Sequence, residues 1–204
     1  YYTETKEIHD LRVIKERANR TVNGVSVSVG DVHVTIDVVG FKKYRQFSEE
    51  LLGEEPLDLP TIEFTTVALW FDIPPAAMAT IADKGMDFPG GLHAVEHAAI
   101  GILPLFALCD RNDIGGLSTP LHPDTGGAGV FIYDAYPGGI GIAEKGYEII
   151  TELWEATLNV INECPCESGC PSCVQSPKCG NNNKPLDKEA AKVILREMIK
   201  VTQN

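Results

Sequence analysis

Cys164-Pro165-Cys166-Glu167-Ser168-Gly169-Cys170-Pro171-Ser172-Cys173 is the stretch of sequence that decides how this chain folds. Cys179 follows closely, so that five of the six cysteines fall within sixteen residues. Four thiolates in the pattern C-x-C-x3-C-x2-C, on a loop rich in proline and glycine, suit the tetrahedral coordination of zinc. If protein sulfur fills all four positions, no water is bound and the ion stabilises the fold. The stretch therefore predicts one structural zinc ion.

Other interpretations of the cysteines stay open at this point. Disulfide bonds are an option, but clustered cysteines without a signal peptide favour a reducing compartment. An iron–sulfur cluster also takes four cysteines, and spacing alone does not exclude it. Cys179 can also replace one of the first four ligands, and the sequence does not settle which.

The composition favours a cytoplasmic protein. The 204 residues suffice for one large domain or two small ones. Nothing at the N-terminus has the pattern of a signal peptide, and no apolar run is expected to reach the length of a membrane span. The first residue is Tyr1 and not methionine, which favours a piece of a longer protein. The net charge of −12 argues against a broad nucleic-acid-binding surface. Residues 164–204, with six basic and four acidic side chains, are locally positive, so any such contact is expected there.

Residues 1–75 have the pattern of a small antiparallel sheet or partial barrel. Apolar and polar residues alternate at 25–29 and 32–38, with a turn predicted at Gly30-Asp31 between them. Asn23-Gly24 predicts an earlier hairpin turn, and a further strand at 61–71 should end before Pro74-Pro75.

A helical segment near Leu92 carries His93, Glu96 and His97, and Pro104 should bend or end it. The spacing H-x-x-E-H matches a zincin-like motif and places both histidines on one helix face. A catalytic zinc needs a third protein ligand, and none follows at a diagnostic spacing. We therefore favour histidines held by hydrogen bonds at a helix contact, with a metal-dependent hydrolase as the alternative function.

Between this helix and the cysteines the sequence predicts loops, one strand and one long helix. The polar segments 109–116 and 118–126 are predicted loops, with Asp110, Arg111 and Asp113 in a buried ion-pair network. A strand at 130–134 leads through a glycine turn at 137–141 into a helix that ends near Asn162. That turn resembles an anion site, but tight packing against the sheet is the favoured interpretation.

The last predicted helix starts at Asp187 and runs to about Val201. Basic residues recur every four positions on it, forming a stripe that is either a solvated face or a phosphate contact: Lys188, Lys192, Arg196 and Lys200. Together the patterns predict an α+β fold, in which a β-rich segment at 1–75 precedes a mainly helical zinc-binding domain at 76–204 with its four-cysteine loop; the resemblance described next implies that 1–75 is a connecting segment.

Five ordered motifs carry a family likeness. They are H-A-x-E-H-A at 93–98, C-D-R-x-D-I-G-G at 109–116, H-P-D-T-G at 122–126, F-I-Y-D-x-Y-P-G-G at 131–139 and the cysteine stretch with Cys179. Over roughly 76–201 the chain resembles the C-terminal zinc-binding domain of the mitomycin repair factor A family. These are superfamily 2 DNA helicases, similar to the DEAD/DEAH-box enzymes, that act in DNA repair.

The resemblance implies a zinc ion held by four named ligands: Cys164, Cys166, Cys170 and Cys173. It also implies that ATP and magnesium serve motor domains of the same polypeptide, because this sequence contains no phosphate-binding loop or acidic box. The expected function is that of a non-catalytic accessory domain that braces the motor and contacts single-stranded or forked DNA. A protein-interaction scaffold in a repair complex is a further alternative.

Overall fold

A computed structural model describes residues 1–48 and 50–200. Within these residues, six strands and six α-helices follow one another, with a short 3-10 helix at Arg111–Asp113. The strands are β1 (Tyr2–Val22), β2 (Val25–Tyr44), β3 (Leu51–Pro56), β4 (Ile62–Asp72), β5 (Ile114–Thr119) and β6 (Gly129–Asp134). The helices are α1 (Pro75–Asp83), α2 (Phe88–Ile102), α3 (Pro104–Ala107), α4 (Ile142–Glu148), α5 (Ile150–Glu163) and α6 (Lys188–Ile199).

The strands form one antiparallel sheet in the order β1-β2-β4-β6-β5, and β3 pairs with the far end of β2. This sheet, the helices after it and the cysteine loop confirm the predicted fold class. Strands β5 and β6 come from the second half of the chain and extend the sheet that β1 to β4 begin. The division at 75/76 into two domains stays a prediction.

The predicted turn at Asn23-Gly24 is confirmed, whereas the predicted turn at Gly30-Asp31 is wrong. Asn23 and Gly24 have φ angles of 51° and 79°, as a tight hairpin turn requires. Gly30 instead lies inside the continuous strand β2 and pairs with Glu16 and Ala68. A Cβ at Gly30 would lie 2.2 Å from the Lys15 carbonyl oxygen. The glycine is therefore explained by close approach of the irregular β1 backbone and not by a turn.

The helices cover one face of the sheet and form the main core with it. Trp154 of α5 is fully buried and meets Phe71 of β4 edge-on at 5.5 Å between ring centroids. Burial of each such side chain contributes roughly 1.5–3 kcal/mol. A smaller apolar cluster lies on the opposite face of the sheet, where Trp70 stacks on Phe131. The sheet is thus buried on both sides where β4 and β6 meet.

Helix α2 lies at the centre of the main core. Its first turn is capped by Asp87, whose carboxylate accepts a hydrogen bond from the Gly90 N–H, and α6 is capped likewise by Asp187. A Cβ at Gly91 would lie 2.6 Å from the Ala190 Cβ, so this glycine allows α2 and α6 to approach closely. The prediction that no apolar run approaches the length of a membrane span is wrong for the helical stretch 88–107, which is long and apolar enough for one. Of the 18-residue window that meets this test, 72% is buried inside the fold. Core packing accounts for its hydropathy.

The predicted loops at 109–116 and 118–126 are partly wrong, because Ile114–Thr119 forms the edge strand β5. The sequence analysis missed this strand because Gly115 and Gly116 lie in it, and glycine is unfavourable in strands. Both are required by packing: a Cβ would lie 2.3 Å from the ring of Tyr133 at Gly115, and 2.6 Å from the Glu96 carboxylate at Gly116.

The predicted ion-pair network of Asp110, Arg111 and Asp113 is also wrong, since no ion pair joins these three among the residues described. Asp110 and Asp113 instead cap the 3-10 helix reciprocally through backbone N–H groups. Asp113 also accepts a hydrogen bond from the Tyr136 hydroxyl at 2.8 Å. Local backbone donors therefore satisfy these carboxylates.

In the glycine turn before α4, the backbone N–H groups bind the carboxylate of Asp134. The buried Asp134 carboxylate accepts backbone N–H bonds from Ile140 (2.6 Å), Gly141 (2.9 Å), Ile142 (3.3 Å) and Ala143 (2.8 Å). These are the donors that a bound phosphate would use at a helix N-terminus. The favoured interpretation as a tight structural turn agrees with this arrangement.

Candidate metal centre

The four clustered cysteines lie at the separations that one tetrahedral ion requires. Their loop runs from the end of α5, where Cys164 caps the helix, towards α6. The Sγ–Sγ distance is 3.5 Å for Cys164–Cys166, Cys164–Cys170 and Cys166–Cys173, and 3.8 Å for Cys170–Cys173. Four sulfurs at zinc–sulfur distances of about 2.3 Å lie about 3.8 Å apart. The donor set and its spacing therefore fit a structural zinc ion.

A buried lysine supports this loop from α6. Lys188 is 3% exposed, and its ammonium donates to the carbonyl oxygens of Cys164 (2.8 Å) and Cys166 (2.6 Å). The same nitrogen lies 3.3 Å from the Cys166 sulfur. A cation in this place offsets the negative charge that four thiolates and one dication retain. Sequence analysis placed Lys188 on an exposed basic stripe and missed this contact.

The thiols of the loop differ in acidity. Desolvation raises the pKa of Cys166, but hydrogen bonds with Cys173, Cys164 and Lys188 outweigh it and lower the pKa to about 6. Burial raises the pKa of Cys173 to about 12. A metal ion binds the thiolate form, so its uptake releases protons and is weakened by acid.

Of the rest of the basic stripe, Arg196 and Lys200 are exposed, whereas the Lys192 side chain is 15% exposed. Lys192 pairs with Glu189 at 2.6 Å, and Lys200 pairs with Glu197. Arg196 is exposed and contacts the side-chain oxygen of Asn162 at 3.3 Å. Nucleic-acid contact through this stripe stays a prediction.

The remaining predicted positions lie together on the other side of the cysteine loop. His93 and His97 of α2 are adjacent, with ring centroids 4.1 Å apart. Cys179 lies beside them and not in the four-cysteine cluster, since its sulfur is 3.4 Å from the His93 Nε2. The sequence left open whether Cys179 replaces one of the first four ligands; its position beside the histidine pair favours the four other cysteines as the cluster.

Lys178 anchors the chain between the two groups. Its ammonium donates to the carbonyl oxygens of Arg111 (3.3 Å), Asn112 (3.2 Å) and Ile114 (2.9 Å). Desolvation lowers the pKa of Lys178, while the nearby carboxylates of Asp113 and Asp110 oppose that shift. The lysine thereby fixes the segment after the cysteine loop to the start of β5.

Comparison with known proteins agrees with this architecture. The family model of the MrfA zinc-binding domain matches residues 95–174. The chain is 34% identical to the ATP-dependent helicase YprA of Bacillus subtilis over 176 residues, or 85% of this chain. It is 41% identical to an uncharacterised protein of Methanocaldococcus jannaschii over 113 residues, or 53% of this chain and 99% of that protein.

A solved structure shows the same fold. The crystal structure of the DUF1998 helicase MrfA bound to DNA is similar to this chain with a TM-score of 0.68 and 31% identity. The similarity covers 97% of this chain and 26% of that helicase. The chain likewise spans 23% of the length of YprA. The similarity to both helicases is therefore confined to about a quarter of each.

Proposed function

Because this chain belongs to the MrfA zinc-binding domain family, we propose that it is the accessory zinc-binding domain of a cytoplasmic, ATP-dependent DNA-repair helicase. The single observation that carries the proposal is the similarity over 97% of the chain to a helicase crystallised on DNA. The domain is non-catalytic in this proposal. ATP and magnesium act in motor domains of the same polypeptide, and the accessory domain braces them.

Zinc stabilises the domain in this proposal. The ligands are the sulfurs of Cys164, Cys166, Cys170 and Cys173, whose mutual distances suit tetrahedral coordination. The ion would join the end of α5 to the start of α6, because the loop and Lys188 connect these helices. Loss of the ion would therefore release the packing of both helices on α2.

The proposed DNA contact is weak and uses the outer side of α6. Lys192, Arg196 and Lys200 are the cations available there, since the Lys188 ammonium is directed into the cysteine loop. The net charge of −12 opposes binding elsewhere on the chain. Single-stranded or forked DNA is the proposed ligand, because a helicase produces both.

A salt-dependent binding titration tests this contact. Fluorescence anisotropy of a labelled single-stranded oligonucleotide should show weak binding whose logarithm falls with the logarithm of salt concentration. The double charge reversal Lys192→Glu/Arg196→Glu should weaken binding and reduce the salt slope by about 0.7 for each lost phosphate contact. Lys145→Glu is the matched control, because Lys145 is a half-buried lysine of α4 paired with Glu148. Tight binding without salt dependence, or no effect of the double variant, would favour the scaffold function instead.

A further inference from the structure

Three side chains on the far side of the cysteine loop present metal ligands to one point. One ligand atom each from His93, His97 and Cys179 lies within 4.8 Å of the other two. The His93 Nε2 is 3.4 Å from the Cys179 Sγ. Nitrogen and sulfur bound to one tetrahedral zinc ion lie about 3.5 Å apart, given bond lengths of about 2.0 and 2.3 Å. The observed separation matches that value.

Hydrogen bonds fix both imidazoles in the state that a metal requires. The His93 Nδ1 lies 2.8 Å from the Pro185 carbonyl oxygen, and the His97 Nδ1 lies 3.0 Å from the Val174 carbonyl oxygen. A carbonyl oxygen only accepts, so each Nδ1 carries the proton and each Nε2 keeps its lone pair. Metal-binding histidines are oriented by such contacts on the other ring nitrogen.

The third ligand is oriented in a similar way. The Asn183 backbone N–H donates to the Cys179 sulfur at 3.2 Å. Asn183 itself is held to Ser176 by two hydrogen bonds, of 2.7 and 3.0 Å. Since Val174 directly follows Cys173, the segment 173–183 connects the histidine pair with the four-cysteine cluster.

The fourth side of this group opens onto a cavity. The cavity has a volume of about 630 Å³ and lies between α2, β5 and the face of β1 that carries Glu7 and His9. Glu96 lines it together with both histidines and Tyr133. Glu96 is 8% exposed, and within 1–48 and 50–200 no hydrogen bond or ion pair reaches its carboxylate. A buried carboxylate without a protein partner needs a cation, a water or a ligand beside it.

We propose that His93 Nε2, His97 Nε2 and Cys179 Sγ bind a second zinc ion, whose fourth position is open to a water molecule or small anion from the cavity. Two imidazoles and one thiolate are a donor set that zinc accepts, and three protein ligands with an open position differ in kind from a closed structural site. This site is independent of the proposed helicase function. The sequence alone predicted a single ion, because its third ligand lies 82 residues after His97.

Metal analysis of the whole chain tests the second site. The wild-type chain, purified in zinc and freed of loosely bound metal, should contain about two zinc ions. Cys179→Ser and His97→Ala should each leave about one ion, and so should the double variant Cys166→Ser/Cys173→Ser. Cys109→Ser is the matched control, since Cys109 belongs to neither group, and it should retain both ions. One ion in the wild type that is lost with Cys166 and Cys173 would overturn the second site and leave the proposed function intact.

Two measurements on the wild-type chain keep the test decisive if a variant fails to fold. With the four-cysteine cluster kept loaded, further zinc should protect Cys179 from alkylation by iodoacetamide and leave alkylation of Cys109 unchanged. Equal labelling of Cys179 with and without the further zinc would contradict the proposal. With cobalt in place of zinc, azide should alter the visible spectrum, because the ion has an open position. A spectrum that azide leaves unchanged would show that every metal position is closed and would also overturn the proposal.

Discussion

The ammonium of Lys188 lies 3.3 Å from the sulfur of Cys166 and donates to the carbonyl oxygens of Cys164 and Cys166. Lys188→Met keeps most of the buried volume but removes this donor. We expect zinc affinity to fall roughly 10-fold or more, as for other groups that orient metal ligands. The loss of the donor from two carbonyl oxygens should cost about 1–3 kcal/mol of unfolding free energy. Competition with a chromogenic chelator measures the first quantity, and thermal unfolding the second.

Lys192→Met is the matched control for that variant. Lys192 lies one turn further along α6, and its ammonium pairs with Glu189 and not with the cysteine loop. The Lys192→Met variant should have nearly the zinc affinity of the wild type, and its unfolding free energy should differ by less than about 1 kcal/mol. Equal zinc affinities for the two variants would contradict the role of Lys188.

Asp134→Ala should be strongly destabilising. Its carboxylate is the acceptor for four backbone N–H groups at the start of α4, two of them in buried bonds. Their loss should cost about 3 kcal/mol or more, because buried donors without acceptors are expensive. Chemical denaturation measures the change. Asp83→Ala, an exposed position at the end of α1, is the control and should have little effect.

Gly91→Ala should destabilise the chain although alanine favours helices more than glycine does. The new methyl group would lie 2.6 Å from the Ala190 Cβ and force α2 and α6 apart. Overpacking of this kind typically costs about 1–3 kcal/mol. Gly53→Ala is the control, since nothing lies within 4 Å of its added Cβ. A stability gain at Gly91 would show that the two helices are not in close contact there.

Acid should remove the contribution of Asp113. The Asp110 backbone N–H and then the Tyr136 hydroxyl hydrogen-bond to its carboxylate and lower its pKa below the usual value. A group whose pKa is lowered by folding stabilises the protein above its unfolded-state pKa, and that stabilisation is lost as the pH falls through the folded-state pKa. Asp113→Asn should therefore be less stable than wild type at neutral pH, with the difference shrinking below pH of about 4. A difference in unfolding free energy that is constant with pH would contradict this.

Sequence patterns predicted those parts of the fold in which local and tertiary preferences agree. Asn23-Gly24 needs positive φ angles wherever it occurs, and Asp187 caps α6 by a contact within one turn. Gly30, Gly115 and Gly116 were misinterpreted because they lie in strands for reasons of close approach. The contacts are made with Lys15, Tyr133 and Glu96, which are distant in the sequence, so a local sequence pattern cannot predict them.

In the candidate metal centre, too, the local part was predicted from the sequence and the part that depends on tertiary contacts was not. The four-cysteine cluster is local, so its spacing was enough to predict a metal site. The group of His93, His97 and Cys179 joins α2 to a loop 82 residues later, and only the fold brings it together. In the sequence, Lys188 is one of four basic residues spaced four apart on α6, and this spacing does not distinguish them. Only the structure shows that the Lys188 ammonium donates to the cysteine loop.

X-ray absorption at the zinc edge, measured on the Cys179→Ser variant, tests the central claim most directly. In that variant the four-cysteine cluster is the zinc site that remains, so the signal reports on it alone. The account predicts four sulfur neighbours at about 2.3 Å and no nitrogen or oxygen in the first shell. A protein that folds without zinc, or a zinc ion with nitrogen or oxygen among its ligands, would contradict the account.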